Sequence, residues 1–226
     1  IKSTGTGGFS FAGKTTKYFD NHISKSIPFF LESHKLISKL STFFISKKST
    51  VYDLGCSTGL TLRAIADLNS NKNFKIIGID ISKDMIAKAK INSNKKKYDQ
   101  IKINYLCKDV LKTKLERCDL ITSNYFIQFT HPRYRQEIFD KIYKSLNYGG
   151  GFIFFEKTRG PDARFQDMFT QLYNDFKSEV ALSIYPSDDI LDKRASKAKL
   201  LFNNPVPNST LFLRVAKLPI ELLVLK

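Results

Sequence analysis

No run of 18 or more apolar residues occurs in this 226-residue chain, so no segment has the makeup of a membrane-crossing helix. Cysteine is scarce. Cys56, Cys107 and Cys118 are odd in number and lack C-x-x-C or His-spaced ligand patterns, which removes the basis for a disulfide framework or structural zinc. They read as reduced, partly buried thiols. Acidic residues are few, 21 against 37 Lys and Arg, for a formal charge of +16. That balance suits a polyanionic partner. Most of these charges, however, are Lys scattered among Asn, Ile and Ser, as in Ser93-Asn94-Lys95-Lys96-Lys97, a pattern that codon usage in an A- and T-rich genome produces. No aromatic-interleaved basic stretch resembles a single-strand platform, so direct RNA binding is not favoured. The first residues, 1–8, have no apolar signal core and are expected to form a flexible lead, with a cytoplasmic location as the default.

What is present centres on Val51-Tyr52-Asp53-Leu54-Gly55-Cys56-Ser57-Thr58-Gly59-Leu60. It reads as strand, tight turn and helix. Gly55 and Gly59 let the backbone take positive φ and approach a ligand, while free N–H groups at the helix start attract polar ligand atoms. The dinucleotide fingerprint G-x-G-x-x-G is missing, since this turn is G-x-x-x-G. A carboxylate is still expected at the end of the next hydrophobic strand, and Lys75-Ile76-Ile77-Gly78-Ile79-Asp80 supplies it.

Around this turn the pattern alternates. Two amphipathic segments, Phe9 to Ile27 and Phe29 to Ile45, precede the first strand, with Pro28 between them. They read either as a lid over the ligand or as packing on the sheet. Strands are expected at Thr50–Leu54, Phe74–Asp80, Ile103–Leu106, Cys118–Asn124 and Gly151–Phe155. Helices are expected at Thr58–Leu68, Lys83–Ile91 and Tyr134–Leu146. The fold class that follows is α/β, a doubly wound, mostly parallel sheet with an N-terminal helical lid. In domain terms this gives a lead at 1–8, a helical cap at 9–48 and an α/β domain at 49–226, with the tail after Asn203 undefined.

Right-handed crossovers bring every strand's carboxyl end to one edge, and Asp53, Asp80, Asp109 and Asn124 all fall there. Each alone could be a turn or cap residue; together they suit one ligand. Asp80 can accept from both ribose hydroxyls, Asp109 from an adenine amino group, and Ile81 and Val110 can flank the ring. The Gly55 turn, with Cys56, Ser57 and Gly59, would hold an amino-acid moiety whose ammonium meets Asp53. The ligand implied is S-adenosylmethionine, and no metal is required. Its sulfonium supplies the leaving group, so no protein nucleophile is expected. Should an acceptor-side base be needed, His131 is a candidate, although His131-Pro132 equally suits a helix start.

Asp53-Leu54-Gly55-Cys56-Ser57-Thr58-Gly59, Gly78-Ile79-Asp80, Lys108-Asp109-Val110 and Leu146-Asn147-Tyr148-Gly149-Gly150 together resemble the motif series of class I S-adenosylmethionine-dependent methyltransferases. A narrower resemblance is carried by Val51 to Ser57, Asn124-Tyr125-Phe126-Ile127-Gln128-Phe129, Asp140-Lys141-Ile142-Tyr143, Glu156-Lys157 and Asn174-Asp175-Phe176-Lys177. With Phe11, Phe19-Asp20 and Ile27-Pro28 upstream, these segments are similar to carboxy-S-adenosylmethionine synthases over about residues 9 to 200.

The resemblance implies a transferase that converts S-adenosylmethionine and prephenate to carboxy-S-adenosylmethionine and phenylpyruvate, in the pathway that modifies the wobble uridine of tRNA. It implies a homodimer, for which Phe165, Phe169, Tyr173 and Phe176 at helical spacing are candidates, the same stripe being equally readable as core. It also implies a cation for the new carboxylate, matched here by Arg194 of Lys193-Arg194, where the bidentate fork of Arg suits the geometry. Three departures stand out. Phe30 occupies a position where the family has a ligand-side Tyr. The spacing through Ser183-Ile184-Tyr185-Pro186 to Lys193 is long, and the tail beyond Asn203 departs from the family's helix and two strands. An ordinary methyltransferase acting on a small molecule or RNA is the alternative.

Overall fold

The computed structural model describes residues 14–94 and 98–184. The lead at 1–8, the pair Lys193-Arg194 and the tail after Asn203 lie outside the described residues. Two helices come first, α1 (Lys14–Ser24) and α2 (Phe30–Ser41). Five strands follow: β1 (Thr50–Leu54), β2 (Phe74–Asp80), β3 (Ile101–Cys107), β4 (Cys118–Asn124) and β5 (Leu146–Phe155). Helices α3 (Leu60–Leu68), α4 (Lys83–Ser93) and α5 (Pro132–Ser145) connect them, and α6 (Ala163–Ile184) comes last. All four strand pairings are parallel, in the order β3-β2-β1-β4-β5. The chain runs outward from β1 to β3 and then returns to the other side of β1. The switch point therefore lies between β1 and β4.

Alternation along the buried strands splits the core in two, as expected of a sheet covered on both faces. Val51, Ile76, Leu120 and Ile153 face α2 and α3, packing with Ile37, Leu62 and Ile65. Tyr52, Leu54, Ile77, Ile121 and Phe152 face the other way, with Ile138 and Ile142 of α5.

Element boundaries differ from the expected ones for local reasons. Helix α3 begins at Leu60 rather than Thr58, because Gly59 is its cap at φ 77°. Helix α5 begins two residues early, with Pro132 in the first turn, where its missing N–H costs nothing. Strand β3 extends at both ends, to Ile101 and Cys107, because each of its seven residues finds a register partner on β2. Strand β5 begins at Leu146, not Gly151, through a register shift between Cys118 and Leu120 that absorbs the glycine segment.

Candidate functional site

The loop from β1 to α3 is tied to β2 by its backbone. The N–H groups of Gly55 and Cys56 both donate to Ile79 O, at 2.8 and 3.1 Å, and Gly59 N–H donates to Cys56 O at 2.8 Å. Gly55 sits at φ 71° and Ser57 at φ 49°, so the turn holds a strained, non-glycine residue at its apex. A Cβ on Gly55 would stand 2.5 Å from Phe126 Cβ, and one on Gly59 2.5 Å from Tyr105 Oη. Backbone sign favours glycine at both places, and at Gly55 the fixed Phe126 leaves no room for a side chain.

Two carboxylates flank the turn. Asp80 Oδ2 accepts from Ser57 N–H at 2.9 Å, and Oδ1 accepts from Ser82 N–H at 2.8 Å. The carboxylate thus fixes both the cradle and the start of α4, and each oxygen keeps a second lone pair. Burial raises its pKa against these backbone donors. Asp53 is 1% exposed. Its Oδ1 accepts from Thr122 Oγ1 at 2.8 Å, while Oδ2 is buried without a partner among the described residues. Burial pushes its pKa up to about 7, opposed by the Thr122 bond and reinforced by the charge of Asp80. A buried carboxylate oxygen left unmatched is costly, and an ammonium group would match it. That orphaned oxygen and the filled glycine cradle fit an amino-acid-bearing ligand.

The opposite wall comes from the end of β4 and from α2. Asn124 donates through Nδ2 to Ser33 Oγ at 3.0 Å and lies 3.2 Å from His34 Nε2. His34 Nδ1 is 2.9 Å from Thr61 Oγ1. Burial, with Arg63 nearby, lowers its pKa to about 4, so the ring is neutral at physiological pH. Phe30 is buried and meets His34 edge-on at 4.6 Å. From α1, Asp20 Oδ1 accepts from Thr58 Oγ1 at 2.6 Å, which ties the first helix to the cradle.

Beyond β2 and β3, Ile81 is 65% exposed whereas Val110 is packed into the core beneath. Asp109 Oδ1 accepts from Leu111 N–H at 2.9 Å, closing the turn after β3. Cys56 is buried in the turn, its thiol pushed well up by burial and by Asp53 and Asp80, which keeps it protonated. His131 caps α5, its Nδ1 facing Arg133 N–H at 3.4 Å, and stacks edge-on against Tyr134. Arg194 lies outside the described residues. Asp53, the Gly55–Gly59 turn, Asp80 and Asn124 thus meet at one sheet edge, with Phe30 against Asn124's neighbour Tyr125.

Sequence reasoning had no part for four residues here. Thr122, inside a strand, carries no local signal. Ser33 and His34 look like ordinary helix positions. Glu156 follows β5 much as Asp80 ends β2, so the strand-end rule could have found it. It accepts from Ile127 and Gln128 N–H at 2.6 and 3.0 Å, pinning the loop after β4, and burial raises it to about 7.

Comparison with known proteins agrees with this geometry. A family model described as a methyltransferase domain matches residues 45–198. A carboxy-S-adenosyl-L-methionine synthase of Staphylococcus epidermidis is 34% identical over 170 residues, 75% of this chain and 72% of that protein. One from Campylobacter jejuni is 33% identical over 201 residues, 89% of this chain and 80% of that protein. A crystal structure from Methanococcus maripaludis, named as a candidate S-adenosyl-l-methionine-dependent methyltransferase, covers 88% of this chain and 84% of its own. Its TM-score is 0.54 and its identity 23%, a likeness of fold. Relatives alike over most of both chains, together with the family match and the shared fold, show that this chain belongs to the methyltransferase-domain family and, within it, to the carboxy-S-adenosyl-L-methionine synthases, as an S-adenosyl-L-methionine-dependent transferase.

Proposed function

We propose that this protein carboxylates the sulfonium methyl group of S-adenosyl-L-methionine with prephenate as the donor, giving carboxy-S-adenosyl-L-methionine and phenylpyruvate for tRNA wobble-uridine modification. The exchange balances with one water released. What carries the reading is the reach of the likeness: relatives bearing that synthase's name match up to 89% of this chain, well beyond the generic cofactor motifs. The bound sulfonium acidifies the carbon that takes up the carboxyl group. The protein's share is to bind, orient and exclude water.

In this reading Asp80 accepts from the ribose, and Asp109, Ile81 and Val110 meet the adenine. The Gly55-Cys56-Ser57 turn and Gly59 take the amino-acid moiety, Asp53 takes its ammonium, and Asn124 and Phe30 line the reacting side. Arg194 is the candidate cation for the new carboxylate. The enzyme would act in the cytoplasm as a homodimer. Of the proposed interface stripe, Phe165 is 43% exposed, while Phe169, Tyr173 and Phe176 are half-buried. Sedimentation of the full chain as a monomer would remove the dimer.

The test is incubation with S-adenosyl-L-methionine and prephenate, followed by mass spectrometry. Carboxylated cofactor and phenylpyruvate in equal amounts are expected. Their absence, with methyl transfer to another acceptor, would return the ordinary methyltransferase that the hydroxyl-free ring of Phe30 permits.

A further inference from the structure

Tyr125 is an aromatic residue held at φ 58°, a left-handed conformation that a bulky side chain adopts only when its surroundings impose it. Three contacts do so. Its N–H donates to Phe155 O at 2.7 Å. Its ring stacks on Phe30, with centroids 6.2 Å apart at 23°. The next two N–H groups of the loop but one, those of Ile127 and Gln128, are both held by Glu156. The strained turn also sets Phe126 directly against Gly55, at the would-be Cβ position. So the conformation of Tyr125 and the closure of the glycine cradle are one feature of the backbone.

The turn stacks a hydroxyl-bearing ring on Phe30, which has none. Tyr125 is 8% exposed, and Ser33 stands beside its phenol, partly offsetting the rise in its pKa. Ser33 Oγ in turn donates to Phe30 O at 2.7 Å and accepts from Asn124 Nδ2. Burial pushes the phenol up to about 12, so it remains a proton donor at neutral pH. A phenolic O–H suits a carboxylate, because charge-assisted O–H···O⁻ bonds are short and strong. A plain sulfonium methyl group offers that hydroxyl nothing to bind.

We propose that Tyr125, with Ser33 beside it, is the specificity residue that distinguishes a carboxymethyl sulfonium ligand from its methyl counterpart. This inference rests on the carboxylating function proposed above. On binding, the phenol donates its proton to the ligand carboxylate, while Ser33 keeps its bond to Phe30 O and the one it accepts from Asn124 Nδ2. No covalent step is involved.

Titration calorimetry with carboxy-S-adenosyl-L-methionine and with S-adenosyl-L-methionine tests it. Tyr125→Phe keeps the ring on Phe30 and removes only the hydroxyl. Affinity for the carboxylated ligand should fall about tenfold to a hundredfold, the loss of one hydrogen bond to a charged group, while affinity for the plain ligand stays within about twofold. Ser33→Ala should act in the same direction and more weakly. Equal losses for both ligands would make Tyr125 a packing residue and overturn the proposal, as would no change for either. If the wild-type protein binds S-adenosyl-L-methionine but not its carboxylated form, the functional reading itself falls, and this inference with it.

Discussion

Asp53 has two carboxylate oxygens and, among the described residues, a partner for one of them. Its pKa in the folded protein, about 7 against an ordinary 3.8, means that without a cationic partner the carboxyl holds a proton over the acid range. Being raised, it lowers the protein's stability as pH climbs from 3.8 towards 7. A ligand ammonium favours the ionised form, so binding releases that proton below pH 7. Affinity for S-adenosyl-L-methionine should therefore rise with pH, by up to about tenfold per unit, and level off above 7. Asp53→Asn should flatten the profile; an unchanged slope in that variant would place the proton elsewhere, with Glu156 the next group to exchange. Asp53 and Asp80 were legible in the sequence because a strand-end acid needs only a hydrophobic strand before it. Thr122 and Ser33 were not: each acts through a partner 69 or 91 residues away, and no periodicity encodes such a distance.

The β1–α3 loop depends on glycine for two separable reasons, backbone sign and space. Gly149 has only the first, with φ 77° and nothing within 4 Å of an added Cβ. Its replacement by Ala should cost about 1–2 kcal/mol. Gly59→Ala meets the far end of Tyr105, which can swing aside, and should cost somewhat more. Gly55→Ala meets Phe126 at its Cβ, which cannot move without the strained Tyr125 turn, and adds about 1–3 kcal/mol of overpacking. Urea midpoints should fall in the order Gly149→Ala, Gly59→Ala, Gly55→Ala; equal losses at all three would show that the cradle has room. At this scale the sequence was read well wherever periodicity ran long, as in β1 and β2, whose bounds were as expected. It was read poorly where pairing decides. Polar Lys102 falls outside the expected strand, yet lies within β3 because Lys75 of β2 supplies its register.

Across the whole molecule, the outward-and-back course of the chain sets the site between β1 and β4, and α1 and α2 reach over to it through Asp20–Thr58 and Ser33–Asn124. The N-terminal segments therefore touch the cradle and are more than cover for a sheet edge. Among the described residues the +16 charge finds one side-chain salt bridge, Lys75 to Glu116 at 3.0 Å on the surface, a pair worth little. The class of fold was legible from strand and helix alternation alone, whereas the closing of the cap onto the site was not, since it rests on single polar contacts between distant segments. The central claim is that this cradle selects a carboxylated sulfonium nucleoside, and the mass of the small molecule released on denaturing the purified protein tests it most directly. The account predicts carboxy-S-adenosyl-L-methionine; S-adenosyl-L-methionine or S-adenosylhomocysteine alone would contradict it.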